Sequence, residues 1–413
     1  MAPRKKRTLV QGGTVITPQG ARAADVLVDG DRIIGIGPSI APRRGDLIVD
    51  ATDHAVIPGL VQARTHLVTS SMRGIARGYD RATAMREHVW PAEMALDAAA
   101  VKAAATSGAI ELLHAGVTSI LDAGTSKHVG EIFRAASELG LRATIGRAFL
   151  DRGQGLPPKL RDPASQALGD IAALIDRWHG ADDGRLRVAL APRGATSCSP
   201  ALLLELAALS AAHDLRIALP YAESQSEVAA AREMHEGEPI APLASKRLVV
   251  AHGTWLTSEA QRLLRESGAH VVHCPTADLA LGSGTAKVPE MIRAGVSLSV
   301  SVGDAPATYL LDPWAEMRLA AMLPGPRHGA IPPADVFAWA TIGGARALGL
   351  ADEIGTIELG KKADLAVVRL RHDGDPITAL VLGASSSDVS YVLIDGILRI
   401  KKRALPARPS PAR

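Results

Sequence analysis

The chain changes character at Pro58-Gly59-Leu60-Val61-Gln62-Ala63-Arg64-Thr65-His66-Leu67. The apolar residues that follow the Pro-Gly break read as a buried strand, and a strand sends successive side chains to opposite faces. Arg64 and His66 therefore point to one side, close to the strand's C-terminal end. Two histidines at this i, i+2 spacing would grip one divalent ion. Here the second position holds His66, whereas the first holds a guanidinium, which offers no lone pair to a metal. The stretch sets one guanidinium and one imidazole on the same side of a strand end.

Upstream of this point the sequence reads as short strands and turns: Thr8–Thr17, then 24–37 with an Asp29-Gly30-Asp31 turn, then 47–56. Downstream, helices alternate with short apolar strands. A helix over 97–115 closes at Gly116 before a strand over 117–121, and a helix over Val129–Leu139 closes at Gly140 before Arg142–Phe149. Ser199 caps a helix with Pro200 at its first position, running to His213, and a strand over 215–219 follows. Further strands are expected at 247–251, His270–His273 and 296–302. Strand-and-turn character returns at Gly355, through 361–368 to 389–400. The expected fold class is α/β: a (β/α)8 TIM-like barrel with a small β-sandwich domain formed by both chain termini. The expected boundaries are 1–57 and 355–413 for the two parts of the small domain and 58–354 for the barrel. Pro406–Arg413 reads as a polar tail.

With 413 residues, 47% of them hydrophobic, the chain can bury one large core and a smaller one. Aromatic residues make up only 3%, which argues against a base-stacking surface, and the net charge of +3 is small for this length. The basic run Arg4-Lys5-Lys6-Arg7 reads as a solvated tail. Cys198 and Cys274 are the only cysteines, so neither a disulfide framework nor a Cys-rich zinc site is available. No apolar run approaches the ~18 residues of a membrane span, and no signal-type apolar segment opens the chain. The expectation is a cytoplasmic protein with a small-molecule partner, no nucleic acid and no membrane.

Nearly the whole sequence resembles the amidohydrolase superfamily, in the branch of atrazine and triazine hydrolases, adenosylhomocysteine and methylthioadenosine deaminases, and guanine deaminases. The resemblance rests on the opening stretch together with Glu111-Leu112-Leu113-His114-Ala115-Gly116-Val117-Thr118, Thr196-Ser197-Cys198-Ser199-Pro200, Ala222-Glu223-Ser224, Ala251-His252-Gly253 and His273-Cys274-Pro275. It continues into Ile354-Gly355-Thr356-Ile357-Glu358-Leu359-Gly360-Lys361-Lys362-Ala363-Asp364-Leu365. The resemblance implies a homodimer. It also implies one zinc or iron ion, held by two histidines of the first barrel strand, a histidine of the fifth and an aspartate of the eighth. Such an ion turns bound water into hydroxide at neutral pH.

Several positions depart from that pattern. Arg64 replaces the first histidine, and Pro220 stands where the fifth-strand ligand belongs, in Arg216-Ile217-Ala218-Leu219-Pro220-Tyr221-Ala222-Glu223. On the eighth strand Gly303 aligns with the aspartate and Asp304 follows it. Alternation groups Ser297, Ser299, Ser301 and Gly303 on one face and turns Asp304 to the other, unless a bulge restores it. Arg193 replaces a substrate-facing histidine after the fourth strand, and Asp278 falls in the altered segment after His273-Cys274-Pro275.

Glu223 and His252, the proton-moving positions of the family, are kept. The expectation is a catalytic pair of Glu223 and His252, with Arg64, His66, Arg193, His273, Asp278 and Asp304 contacting substrate. No cofactor is expected. The alternative is zinc or iron held by His66, His252 and Asp304. The function expected is acid–base cleavage of a C–N or C–X bond, or a related reaction, in a small heterocyclic or anionic molecule without a catalytic metal. Two alternatives stand beside it: a conventional zinc- or iron-dependent deaminase or chlorohydrolase, and a non-catalytic binding protein. Residues 72–91 and 304–314 are the loops expected to set specificity, and Lys287 lies in a Gly-rich loop placed to close over a pocket.

Overall fold

The computed structural model describes residues 7–152, 164–303, 305–325, 329–371 and 374–401; Arg4-Lys5-Lys6, Asp304 and Pro406–Arg413 lie outside the described residues. Five strands precede the barrel: β1 Thr8–Thr17, β2 Gly20–Asp29, β3 Arg32–Gly37, β4 Leu47–Asp50 and β5 His54–Pro58. The barrel strands are β6 Leu60–Thr65, β7 Val117–Asp122, β8 Arg142–Phe149, β9 Leu186–Pro192, β10 Arg216–Tyr221, β11 Leu248–His252, β12 His270–His273 and β13 Ser297–Val300. The chain ends with β14 Leu365–Arg369, β15 Val389–Ile394 and β16 Ile397–Lys401.

β6 to β13 form one parallel sheet in sequence order, each strand paired with the next. The ends of that sheet approach each other where the Val302 backbone N–H donates to Gln62 Oε1 at 2.8 Å. Val61, Ala63, Leu121, Ala189, Ala218, Val249 and Val272 pack in one apolar cluster, while Ile120, Ile145, Val188, Leu190, Ile217, Val250 and Val271 pack in another with the flanking helices. Alternation along each strand divides the two. On β13 and its extension the division is clear: Leu298, Val300 and Val302 belong to the cluster shared with the helices, and Ser299 and Ser301 are buried outside it.

The second sheet runs β16-β15-β14-β5-β1-β2-β3, with β4 beside β1. Its two halves meet where β5 pairs antiparallel with β14, Val56 opposite Val367. Gly59 is the hinge between the sheets, and a Cβ there would overlap the Thr118 side chain, so the close approach of β6 to β7 requires glycine. The expected strand over 47–56 is two strands, because Asp50 accepts from the Thr52 N–H and Asp53 turns the chain at φ 59°. β9 is the one barrel strand without a matching sequence expectation, since Arg185 and Arg187 interrupt its apolar run.

Arg142 fastens the two sheets together. Its guanidinium donates to Asp364 at 2.8 and 3.1 Å and to Asp395 at 2.5 Å, all three side chains being buried. Removing the cation would leave Asp364 without its guanidinium and Asp395 dependent on Arg185 at 3.3 Å and Lys362 at 3.8 Å, which costs far more than the pair itself contributes. Arg142→Met is expected to lose about 3–5 kcal/mol of stability, read as a lower midpoint in urea unfolding; a loss under about 1 kcal/mol would show that the network is dispensable.

Candidate functional site

A cavity of about 1260 Å³ opens beside the C-terminal ends of the barrel strands. Arg64 and His66 line it from the end of β6, Arg193 from the end of β9, and Glu223 from the turn after β10. A register shift between Gln62 and Thr65 in the β6–β7 pairing marks a bulge just where Arg64 emerges. His252, His273 and Asp278 are buried behind the cavity wall, and Asp304 lies outside the described residues.

His252 sits at the centre of a buried chain of groups. Its Nδ1 lies 2.7 Å from Asp278 Oδ1, and its Nε2 lies 3.0 Å from Glu223 Oε1, close enough to pair but without the alignment of a hydrogen bond. Asp278 acts as the acceptor that fixes the Nδ1–H form of the ring, leaving Nε2 toward Glu223. The other oxygen of Glu223 pairs with Arg81 Nε. Both strand exits are bent into the left-handed region, with φ 59° at Ala222 and φ 72° at His252. Side chains with a Cβ resist that conformation, so the backbone stores strain at the two residues that set the direction of Glu223 and His252.

Arg193 organises the opposite wall. It donates to both oxygens of Glu93, at 2.5 and 2.6 Å, and Glu93 also accepts from the Ser126 backbone N–H at 3.2 Å. Arg193 Nη1 lies 3.2 Å from His66 Nε2, a geometry in which the guanidinium donates and the neutral imidazole accepts. Asp122, at the end of β7, accepts from the backbone N–H groups of Leu67 and Gly124 at 2.6 and 2.8 Å. Burial pushes its carboxyl up to about 6, opposed by those N–H groups and by the charges of Arg64 and Arg193. At the end of β12, burial pushes His273 down to about 4.

Four residues of this site escaped the sequence reading: Arg81, Glu93, Glu227 and Asp122. Arg81 and Glu93 sit on the short helices of 81–94; Arg81 falls in the expected specificity loop of 72–91 and Glu93 just beyond it, and no motif singles out either. Glu227 had a usable signal, the Ser-x-x-Glu spacing that begins at Ser224. Lys287 is exposed and 3.9 Å from Glu290; Gly282 and Ser283 of its loop, rather than Lys287, line the cavity. The Trp255 indole N–H holds that loop through the Ser283 carbonyl at 2.7 Å.

A parallel (β/α)8 barrel whose titratable groups gather at the C-terminal strand ends is the architecture of a large class of hydrolases. The amidohydrolase family model matches residues 55–398. The chain belongs to the amidohydrolase family. It is 32% identical over 406 residues to the 5'-deoxyadenosine deaminase of Methanothermobacter thermautotrophicus, covering 95% of this chain and 93% of that one. It is 34% identical over 411 residues to the 5-methylthioadenosine/S-adenosylhomocysteine deaminase of Halobacterium salinarum, covering 95% and 92%. Among solved structures, an adenosine deaminase from Xanthomonas campestris with bound zinc superposes with a TM-score of 0.87 at 27% identity, covering 98% of this chain and 96% of that one. A triazine hydrolase from Arthrobacter aurescens shares the fold at 24% identity, with a TM-score of 0.87 and coverage of 96% and 95%.

Three positions bear on whether the described residues could hold a zinc ion. Pro220 offers no donor atom, His66 Nε2 faces the Arg193 guanidinium, and His252 Nδ1 is taken by Asp278 while its Nε2 lies 3.0 Å from Glu223 Oε1. Among the described residues no group of three or more His, Cys, Asp or Glu side chains converges to hold a metal. The guanidiniums of Arg64 and Arg193 line the cavity that such an ion would face.

The buried histidines set a pH dependence. Burial lowers His270 and His273 from an ordinary 6.5 to about 4. The folded state therefore binds fewer protons than the unfolded chain between those values, and stability falls as pH drops through that window. Thermal midpoints measured from pH 7 to pH 4 are expected to fall, and less steeply in His273→Asn; equal slopes would show that His273 titrates normally.

Proposed function

We propose that this amidohydrolase cleaves a C–N bond in a small heterocyclic, adenosine-like molecule, with Glu223, His252 and Asp278 as its proton-handling chain and without a catalytic metal. The observation that carries the reading is the continuous contact from Asp278 through His252 to Glu223, with Glu223 lining the cavity. In the hydrolytic step, water oxygen bonds to the ring carbon bearing the amine, and the electron pair of the adjacent ring C=N bond moves onto the ring nitrogen. Glu223 takes one water proton and delivers it to that nitrogen. The exocyclic C–N bond then breaks as the remaining hydroxyl proton passes through Glu223 and His252, whose imidazolium is stabilised by Asp278, to the departing nitrogen. Ammonia leaves, and the ring keeps the oxygen as a carbonyl. Arg64 and Arg193 supply positive charge to the developing oxyanion.

The substrate class is supported by the relatives, which are deaminases of 5'-deoxyadenosine and of 5-methylthioadenosine and S-adenosylhomocysteine. A second reading, a zinc- or iron-dependent deaminase, is favoured by the zinc-bound Xanthomonas campestris structure. That reading would rest on His66, His252 and Asp304 as holders of the ion. The domain boundaries at 57 and 354 and a cytoplasmic homodimer complete the proposal.

Ammonia release from adenosine, 5'-deoxyadenosine and 5-methylthioadenosine tests both readings, alongside metal content by mass spectrometry. The metal-free reading expects turnover that survives chelation, sub-stoichiometric metal, and a fall of about 100-fold or more in kcat for Glu223→Gln. Stoichiometric zinc or iron whose removal abolishes turnover would establish the second reading instead. Full activity in Glu223→Gln would remove the proton-handling role from both.

A further inference from the structure

The turn that aims Glu223 is held by a second glutamate. Glu227 occupies the third position of the helix Gln225–Met234, whose N-cap is Ser224, and the Glu227 N–H donates to Ser224 Oγ at 3.1 Å. In an ordinary capping box the glutamate would reach back to the cap residue's own N–H. Here the Glu227 carboxyl reaches further: Oε2 accepts from the Glu223 N–H at 2.9 Å, and the Ala222 N–H also donates to it. It thereby binds both amides of the strained exit from β10, on the wall of the cavity that Glu223 lines.

We infer that Glu227 is a positioning residue for Glu223, holding the strained turn that directs the Glu223 side chain at His252 and sharing the positive charge of Arg81 with it. The inference rests on the reading of Glu223 given under Proposed function. Two carboxyl groups on one turn, with Arg81 as the guanidinium that acts on both, favour a state in which only one is charged. Desolvation and the neighbouring Glu223 charge push Glu227 up to about 8, against the turn amides and Arg81. Glu227 is thus the neutral member at pH 7, accepting the amides through its carbonyl oxygen. The titratable and charged groups acting on Glu227 are Glu223, Arg81 and, at the strand end, Tyr221, whose hydroxyl is engaged by Glu238 at 2.6 Å.

Glu227→Gln preserves the amide acceptor and cannot ionise, whereas Glu227→Ala loses the acceptor as well. In the intact chain, Glu227→Gln is expected to keep kcat near neutrality within a few-fold and to lose the alkaline limb of the pH profile near 8. Glu227→Ala is expected to lose about 10- to 100-fold in kcat, with KM little changed, through misdirection of Glu223. A measurement without substrate separates this from the reading of Glu223. The folded state keeps the Glu227 proton to about pH 8, whereas the unfolded chain releases it near 4.5, so wild-type stability declines between those values. The thermal midpoint of Glu227→Gln relative to wild type should therefore rise from pH 5 to pH 8, and the rise should shrink in a Glu223→Gln background. A difference that stays flat with pH overturns the inference, leaving Glu227 as a helix cap. If Glu223→Gln leaves turnover intact while the pH-dependent difference is seen, the proposed role of Glu223 fails and the carboxyl pair stands.

Discussion

A buried guanidinium must meet a carboxylate, and much of this molecule is arranged around that requirement. Arg142 meets Asp364 and Asp395, Arg147 meets Asp170, and Arg193 meets Glu93; the Arg64 charge acts on Asp122. Arg142 ties the barrel to the terminal sheet, whereas Arg193 ties the end of β9 to the helical stretch over the cavity. Arg193 also faces His66 Nε2, at 3.2 Å. Exchanging histidine for arginine in this barrel therefore alters the demands on its whole surroundings, not one position alone.

The opposite wall follows a different rule. There the chemistry depends on backbone direction, since Ala222 and His252 both take left-handed conformations at adjacent strand ends. Each such residue stores on the order of 1–3 kcal/mol. The strain is held by specific bonds: Glu227 to the turn amides, Asp278 to the imidazole, and the Gly253 N–H to the Tyr221 carbonyl at 3.1 Å. One wall thus presents fixed positive charge and the other presents a directed carboxylate–imidazole pair.

Most of the architecture was legible in the sequence because it rests on local rules. The 139–142 junction and the Ser199 cap announce themselves through Gly140 at φ 67° and the Leu202 N–H bond to Ser199 Oγ. Residues 186–192 did not, because a barrel strand with a charged side chain loses its apolar run while keeping its place through parallel pairing on both edges. For the site, Arg64, His66, Arg193, Glu223 and His252 were reached through the resemblance to the amidohydrolases, whose motifs fall at strand ends. Arg81 and Glu93 could not be reached that way, because what matters about them is that chain 100 or more positions away folds against them: Arg193 for Glu93, Glu223 for Arg81. Glu227 fell between, its capping spacing visible but its reach to the Glu223 amide set by the shape of a turn.

The antiparallel joint between β5 and β14 also constrains the order in which the molecule can be made. His54–Pro58 waits for Leu365–Arg369, more than three hundred positions later, before its second edge is covered. A ribosome delivers the barrel in sequence order, each βα unit packing on the last, while the first strands stay half-assembled with Val10, Val15 and Val56 without the partners Leu365, Val367 and Leu393. Contacts this distant in sequence form late and slowly, and exposed strand edges invite association with other chains in the interval. The same joint that unites the two ends of the finished protein leaves its opening strands as the part most dependent on protection during synthesis.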